Sequence, residues 1–347
     1  MFPKQVTAAA SKKKDVPTVM FELNPGDKEK RAQADMRLKW VHQTQKQDQV
    51  KRVKTLCEQV FGVDGAAIMF DSDHKDYIMA LDRLNLMVEE QPENLIQVVD
   101  VVFKWAHLKL DESTNTAFIM KVYDFLVVLF ALLTGSGYTL SDTEAYVVIP
   151  MLCEKSGNNN TIVKNKVKAL IKQCFEIHDH TKCMALIVDF GCSSKNLKSV
   201  SESLDEIAAH ITRDGLKSVS ERQIKTVVRL VDHSDQGVKK GALLVLGQAY
   251  CTIEEDVWKM VGKVSPKVQD LLVKRFKQAK APGLGGASPR GARSPQKQIE
   301  PSSLRKGRSP QKKTEHSTPS SMKQSGPDNI ERKGEQSSSG SPERKLE

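Results

Sequence analysis

Residues 218–249 read SVSERQIKTVVRLVDHSDQGVKKGALLVLGQA, and this stretch decides the fold. Apolar residues recur every three or four positions in each half, as in an amphipathic helix: Ile224, Val227, Val228 and Val231, then Val238, Ala242, Val245, Leu246 and Ala249. Ser218 and Glu221 have the spacing of a capping box, which predicts where the first helix begins. The polar stretch 232–237 between the halves predicts a turn. The stretch is therefore expected to form an antiparallel helix pair.

The same pattern recurs along the chain. First helices of successive pairs are expected to begin near residues 48, 93, 141, 181 and 220, about 39 to 48 residues apart. This separation is typical of HEAT repeats, in which each helix pair buries its apolar face against its neighbours. We predict an all-α HEAT-repeat array of about five to six antiparallel helix pairs. Gly62 is expected to end the first helix, a further helix is expected over 27–40, and residues 254–279 are expected to cap the array.

Positive charge is concentrated at the two ends of the chain. Of a net charge of +10, residues 281–347 contribute +6 from 13 basic and 7 acidic side chains, and residues 1–16 contribute +3 from four lysines and one aspartate. Both segments contain too few apolar residues to bury a core. We therefore predict a basic disordered tail at 1–16, a HEAT-repeat domain at 17–280 and a disordered tail rich in Ser, Pro, Lys and Arg at 281–347.

The C-terminal tail repeats a short motif. Ser294, Ser309 and Ser341 each precede a proline, and each has a basic residue at the third position after the serine. Proline-directed kinases prefer this arrangement, so the three serines are candidate phosphorylation sites. Each phosphate would add about −1.5 to −2 charge.

Several other classes of function are not expected. The cysteines form no CxxC pair and no apolar signal sequence opens the chain, which favours a reduced cytoplasmic protein. The apolar run 117–133 is interrupted by Lys121 and Asp124 and is short for a bilayer, so we predict a buried helix and no membrane interaction. The low aromatic content of 5% argues against specific nucleic-acid binding.

Catalytic and metal-binding motifs are not expected either. No nucleophile elbow, HExxH motif or phosphate-binding loop is present, so we predict no enzyme activity and no cofactor. Cys174, His178, His180 and Cys183 are residue types that bind zinc. They lie where one repeat ends and the next begins, where a buried cysteine and loop histidines are a sufficient explanation. We therefore predict no metal site.

The turns inside the helix pairs are the candidate binding surface. In a stack of helix pairs these turns all lie along one edge, here at 70–75, 111–115, 157–161, 193–196 and 232–237. Lys164, Lys195 and Lys239 lie close to this edge. A row of ammonium groups suits a large acidic protein surface better than a small substrate. The alternative is that these lysines are simply solvated.

Short phrases in the turns and their flanks carry a resemblance to a known family: Leu38-Lys39-Trp40, Lys104-Trp105, Thr114-Asn115-Thr116, Val167-Lys168-Ala169, Ser194-Lys195-Asn196 and Val238-Lys239. In order and spacing they resemble the TOG domains of the microtubule polymerases, most closely the fifth TOG domain of the animal proteins. The resemblance covers about residues 17–279. One departure is that the first turn contains no tryptophan, and Phe70 is its nearest aromatic residue.

The resemblance implies a flat, non-enzymatic array that binds αβ-tubulin and the microtubule lattice. It implies a role in microtubule growth or spindle organisation, in the cytoplasm at microtubules, the spindle or the microtubule-organising centre. The residues that it implies as tubulin contacts are Phe70, Asp71, Ser72, Asp73, Thr114, Asn115, Lys164, Lys195, Asn196, Lys198 and Lys239. The alternative is a HEAT-repeat scaffold for another protein partner.

Overall fold

The computed structural model of the protein describes residues 23–24, 26–42, 47–71 and 73–280, without the side chain of His74. Ser72, the candidate phosphorylation sites Ser294, Ser309 and Ser341, and both predicted tails lie outside the described residues. Within the described ranges every regular element is a helix. The expected all-α class is confirmed.

Six helix pairs follow one another, after a first helix α1 (Asp27–Arg37). The pairs are α2 (Gln47–Phe70) with α3 (His74–Glu90), α4 (Pro92–Gln97) and α5 (Val99–Glu112) with α6 (Thr116–Gly135), α7 (Asp142–Lys155) with α8 (Thr161–Ile177), α9 (His180–Leu186) with α10 (Leu197–Asp214), α11 (Glu221–Val228) with α12 (Gln236–Ile253), and α13 (Val257–Val261) with α14 (Pro266–Lys280). A π-helical turn, Ile187–Gly191, extends α9, and a 3₁₀ turn, Glu254–Asp256, precedes α13. The segment expected to cap the array is itself a short helix pair.

Helix α6 explains the long apolar run. Its length and apolarity would suffice to cross a membrane. However, it packs against α3 on one side and α8 on the other, and Phe118, Phe125 and Leu129 are buried between them. Burial on two sides requires apolar residues nearly all around a helix. Packing in the core of the array therefore accounts for this run.

One predicted helix boundary is confirmed and another is wrong. The first helix ends at Gly62 as predicted: φ 73° and ψ 168° there are not helical, a conformation that glycine tolerates, and a second helical segment continues across this kink to Phe70. The capping box of α11 is formed by Ser220 with Gln223, not by Ser218 with Glu221. Ser218 is buried and lies 2.6 Å from Nε2 of His210 instead.

Helix α1 is held on the array by charged side chains, since none of its own residues is buried. It ends at Arg37, earlier than the expected 27–40. The ion pairs are Lys28 with Glu144 at 3.1 Å, Arg31 with Asp100 at 2.9 Å and Asp35 with Lys104 at 2.5 Å. Burial alone would raise the pKa of Asp100, but the hydrogen bond from Arg31 and the charge of Lys104 outweigh it and lower that pKa. Removing one partner of such a buried pair leaves an uncompensated charge.

Candidate partner-binding edge

Direct contacts join the turns inside the first four pairs, and the fifth turn lines one groove with the third turn and the start of α10. We call the edge that they form the partner-binding edge (70–75, 111–115, 157–161, 193–196 and 232–237). Lys109 beside the second turn lies over the ring of Phe70 in the first, with 5.2 Å from Nζ to the ring centroid. Lys155 beside the third turn pairs with Asp111 in the second at 2.6 Å. In the third turn, Gly157 N donates to Ser199 Oγ at the start of α10 at 3.2 Å. The predicted alignment of the turns along one edge is therefore observed.

The same type of residue ends each of these turns. Aspartate or asparagine is the N-cap of every second helix in the first five pairs, at Asp73, Asn115, Asn160, Asn196 and Asp235, and each side-chain oxygen accepts a backbone N–H from the helix that follows. This cap satisfies a helical N–H that has no partner within the helix. As a result, each of the five second helices begins at the same point, directly after its capping Asp or Asn. Three predicted tubulin contacts, Asp73, Asn115 and Asn196, are thus N-caps.

The first turn is fixed by its neighbours. Trp105 Nε1 donates to the carbonyl oxygen of Met69 at 2.9 Å. Phe70 is partly buried and faces the ammonium group of Lys109, which also lies 4.1 Å from the ring centroid of Tyr77. Asp71 is exposed, and its Oδ1 accepts a hydrogen bond from the backbone N–H of Asp73 at 2.9 Å. The predicted aromatic contact, Phe70, is therefore packed into this cluster more than it is presented to a partner.

A chain of hydrogen bonds from buried side chains holds the second turn in position. Trp40 Nε1 donates to Nδ1 of the buried His107 at 3.0 Å, so the proton of the neutral imidazole lies on Nε2, which is 3.3 Å from Asp111. Burial alone would raise the pKa of Asp111, but the hydrogen bond from His107 and the ammonium group of Lys155 lower it to about 2. Asp111 is thus ionised at neutral pH. Thr114 remains exposed at the tip of the turn.

The predicted lysines fall into two groups. Lys164 pairs with Glu202 of α10, whose carboxylate also accepts Lys168 at 2.9 Å, so the charge of Lys164 is largely compensated. In the described part of the chain, Lys195, Lys198 and Lys239 form no ion pair, and Lys198 donates to the side-chain oxygen of Asn159 at 2.6 Å. These three lysines of the fourth and fifth pairs therefore place positive charge on the edge that no ion pair in the described residues compensates.

Two apolar residues on the edge were missed by the sequence analysis. Ile162 and Leu197 are 58% and 41% exposed, although they lie in the first turns of α8 and α10. Leu197 lines a groove of about 370 Å³ between the third, fourth and fifth turns. The other residues that line this groove include Asn158, Asn159, Thr161, Lys164, Lys198, Ser201, Glu202 and Asp235. An apolar residue one or two positions after an Asn cap and outside the apolar stripe is the signal that could have identified both.

Comparison with known proteins places this architecture in a family. Residues 117–276 match the family model described as XMAP215/Dis1/CLASP, TOG domain. The chain is 30% identical to Protein MOR1 of Oryza sativa subsp. japonica over 273 residues, which are 78% of this chain and 14% of the rice protein. The chain therefore spans only a small part of this relative.

Solved structures agree with this assignment. The TOG domain of Caenorhabditis elegans Zyg9 superimposes with a TM-score of 0.66 and 26% identity, over 74% of this chain and 97% of that domain. A structure described under "TOG-tubulin binding specificity promotes microtubule dynamics and mitotic spindle formation" gives a TM-score of 0.65 at 23% identity, over 72% of this chain and 97% of its own. The chain therefore contains a TOG domain of the XMAP215/Dis1/CLASP family.

Proposed function

We propose that the domain binds αβ-tubulin through the partner-binding edge and that the protein is a non-enzymatic microtubule-associated protein. It would support microtubule growth or spindle organisation, at microtubules, the spindle or the microtubule-organising centre. The observation that carries the proposal is the continuous edge of capped turns on a TOG fold, with the exposed lysines Lys195 and Lys198 at its fourth turn. The relation of a solved TOG neighbour to tubulin and microtubule dynamics supports it.

The chemistry of the edge suits an acidic protein surface. Lys195, Lys198 and Lys239 supply positive charge that the array does not compensate, and complementary charge favours association with an acidic partner. Ile162 and Leu197 add exposed apolar area beside these lysines. Protein interfaces commonly combine an apolar centre with a polar rim. An extended edge of this kind fits a large folded partner better than a small ligand.

The tails are proposed to act separately from the edge. Residues 281–347 carry a net charge of +6 and would add a salt-sensitive attraction to the acidic microtubule lattice. A proline-directed kinase that modifies Ser294, Ser309 and Ser341 would add about −1.5 to −2 charge per site. Three such phosphates would cancel most of the tail charge and weaken this attraction.

Co-sedimentation of the full chain with taxol-stabilised microtubules tests the proposal. We expect the chain to pellet with microtubules at low salt, and we expect deletion of 281–347 mainly to reduce the salt dependence of binding. If the full chain stays in the supernatant at low salt, this counts heavily against tubulin as its partner. That outcome would favour the HEAT-repeat scaffold for another protein.

A further inference from the structure

A second cluster of polar side chains lies at the edge opposite to the partner-binding edge. The fourth pair turns at 193–196 on the partner-binding side, so its other edge holds the start of α9 and the end of α10. His180 is the first residue of α9, and His210 and Asp214 lie one helical turn apart near the end of α10. One ligand atom from each of these three side chains lies within 4.8 Å of the others.

Two neighbours of His210 Nδ1 favour opposite tautomers. Nη2 of Arg213, which can only donate, and Oδ2 of Asp214, which can only accept, each lie 3.1 Å from it. With Arg213 as the partner, Nδ1 accepts and the ring proton lies on Nε2, 2.6 Å from Ser218 Oγ. An imidazole with one nitrogen donating to a fixed oxygen and a lone pair on the other is the arrangement found in metal-ligating histidines.

The distances between the three candidate ligands are also close to those in a tetrahedral zinc site. His210 is 2% exposed, and its ring stacks on Phe175 with 4.4 Å between the ring centroids. Asp214 Oδ2 lies 3.1 Å from His210 Nδ1, whereas two ligands of one tetrahedral zinc ion are about 3.4 Å apart. The exposed ring of His180 lies 5.5 Å from that of His210. The His180 side chain would have to rotate toward His210 Nδ1 and Asp214 Oδ2 to complete the set.

A positively charged group already occupies this position. Nη2 of Arg213 lies 2.7 Å from Asp214 Oδ2 as well as near His210 Nδ1, so a lone pair and a carboxylate oxygen converge on one cation. The Arg213 side chain is 52% exposed. Exposed ion pairs contribute little to stability, so the guanidinium can move into solvent at low cost. A divalent ion would use the same two acceptors.

We propose that His180, His210 and Asp214 form a binding site for a zinc-type divalent cation, with water as the fourth ligand. Two imidazoles and one carboxylate suit Zn²⁺ or Co²⁺ better than Mg²⁺ or Ca²⁺, which prefer oxygen ligands. The site shares His180 with the cysteine-containing cluster considered from the sequence, but it uses neither Cys174 nor Cys183, which are buried. The bound ion would link the start of α9 to the end of α10 and stabilise the fourth pair.

Titration of the tag-free full chain with Co²⁺ and then Zn²⁺ tests this site. We expect one equivalent of Co²⁺ to produce visible absorption typical of four-coordinate cobalt, and we expect Zn²⁺ to displace it and raise the thermal midpoint. His180→Ala and Asp214→Asn, both at solvent-accessible positions, should weaken metal binding by at least about tenfold. Arg213→Ala should strengthen binding because it removes the competing cation. His233→Ala, a histidine in the fifth pair, is the control and should bind like the wild type.

Three outcomes would overturn the proposal: a wild-type chain that binds neither ion, a His180→Ala variant with wild-type affinity, or an Arg213→Ala variant that binds more weakly. The sign of the Arg213→Ala effect separates a metal site from a purely structural cluster when the variant is folded. Its thermal midpoint without metal must therefore match the wild type, because unfolding would expose buried cysteines that also bind these ions.

Discussion

Trp105 Nε1 donates a hydrogen bond to the carbonyl oxygen of Met69 at 2.9 Å, and this bond ties the second helix pair to the end of α2 in the first pair. Met69 directly precedes Phe70 and the first turn of the partner-binding edge. The first turn therefore takes its position from a fully buried side chain of the next repeat. In this domain the edge is a product of packing between repeats.

Trp105→Phe should remove this hydrogen bond while it retains most of the packing. The buried carbonyl of Met69 would lose its partner, so we expect a loss of about 1–3 kcal/mol in the free energy of unfolding. Urea denaturation of the full chain measures this loss. Trp258→Phe, at a partly buried position in the last pair, is the matched control and should have a smaller effect. Equal losses in the two variants would argue against a specific role for the hydrogen bond.

Asn196 should contribute as the N-cap of α10 and not through a direct contact of its side chain with the partner. Asn196→Ala should cost about 0.5–2 kcal/mol of stability because the N–H of Lys198 loses its acceptor. Asn196→Ser retains a capping oxygen and should restore both stability and tubulin binding. If the serine variant is stable but binds tubulin as weakly as the alanine variant, the amide contacts the partner directly.

Asp111 should make the stability of the domain depend on pH in the acidic range. Its pKa is lowered from 3.8 to about 2, so its ionised form stabilises the fold above pH 4 by about 2 kcal/mol. This contribution is lost as the pH falls through the folded-state value. Urea denaturation of the wild type and Asp111→Asn at several pH values should show a difference that shrinks between pH 4 and about 2. A constant difference would contradict the assignment.

The exposed apolar residues of the edge should matter for binding more than for folding. Ile162→Ser should weaken tubulin binding by about 1–2 kcal/mol, or about five- to thirtyfold, with little change in thermal midpoint. Val128→Ser is a suitable control, because Val128 is 43% exposed on α6 and lies away from the turns. Wild-type binding by Ile162→Ser would remove this residue from the interface.

The helices could be predicted because their signals are local. The capping box of Ser141 and the spacing of residues such as Val163, Val167 and Leu170 are visible within single segments. The Asx caps were equally local, and a search for Asp or Asn at the end of each turn would have found Asn160 and Asp235. The predicted array and the order of its turns depend on such short-range patterns.

Long-range pairings account for what the sequence did not reveal. Arg31 meets Asp100, and Lys164 meets Glu202, across separations of 69 and 38 residues, and no local pattern indicates either pairing. The second pairing changes the candidate site, because it compensates one of the predicted contact lysines. His180 and His210 likewise become neighbours only when α9 and α10 pack together.

The most direct test of the central claim reverses the charge of the partner-binding edge. Lys195→Glu, Lys198→Glu and Lys239→Glu are combined in the full chain, and the affinity for taxol-stabilised microtubules is measured by co-sedimentation over a range of salt concentrations. The matched control makes the same change in charge at exposed lysines away from the edge: Lys217→Glu, Lys274→Glu and Lys277→Glu. We predict that the edge variant loses at least about tenfold in affinity and that the control stays close to the wild type. Equal affinities of the two variants would contradict binding through this edge.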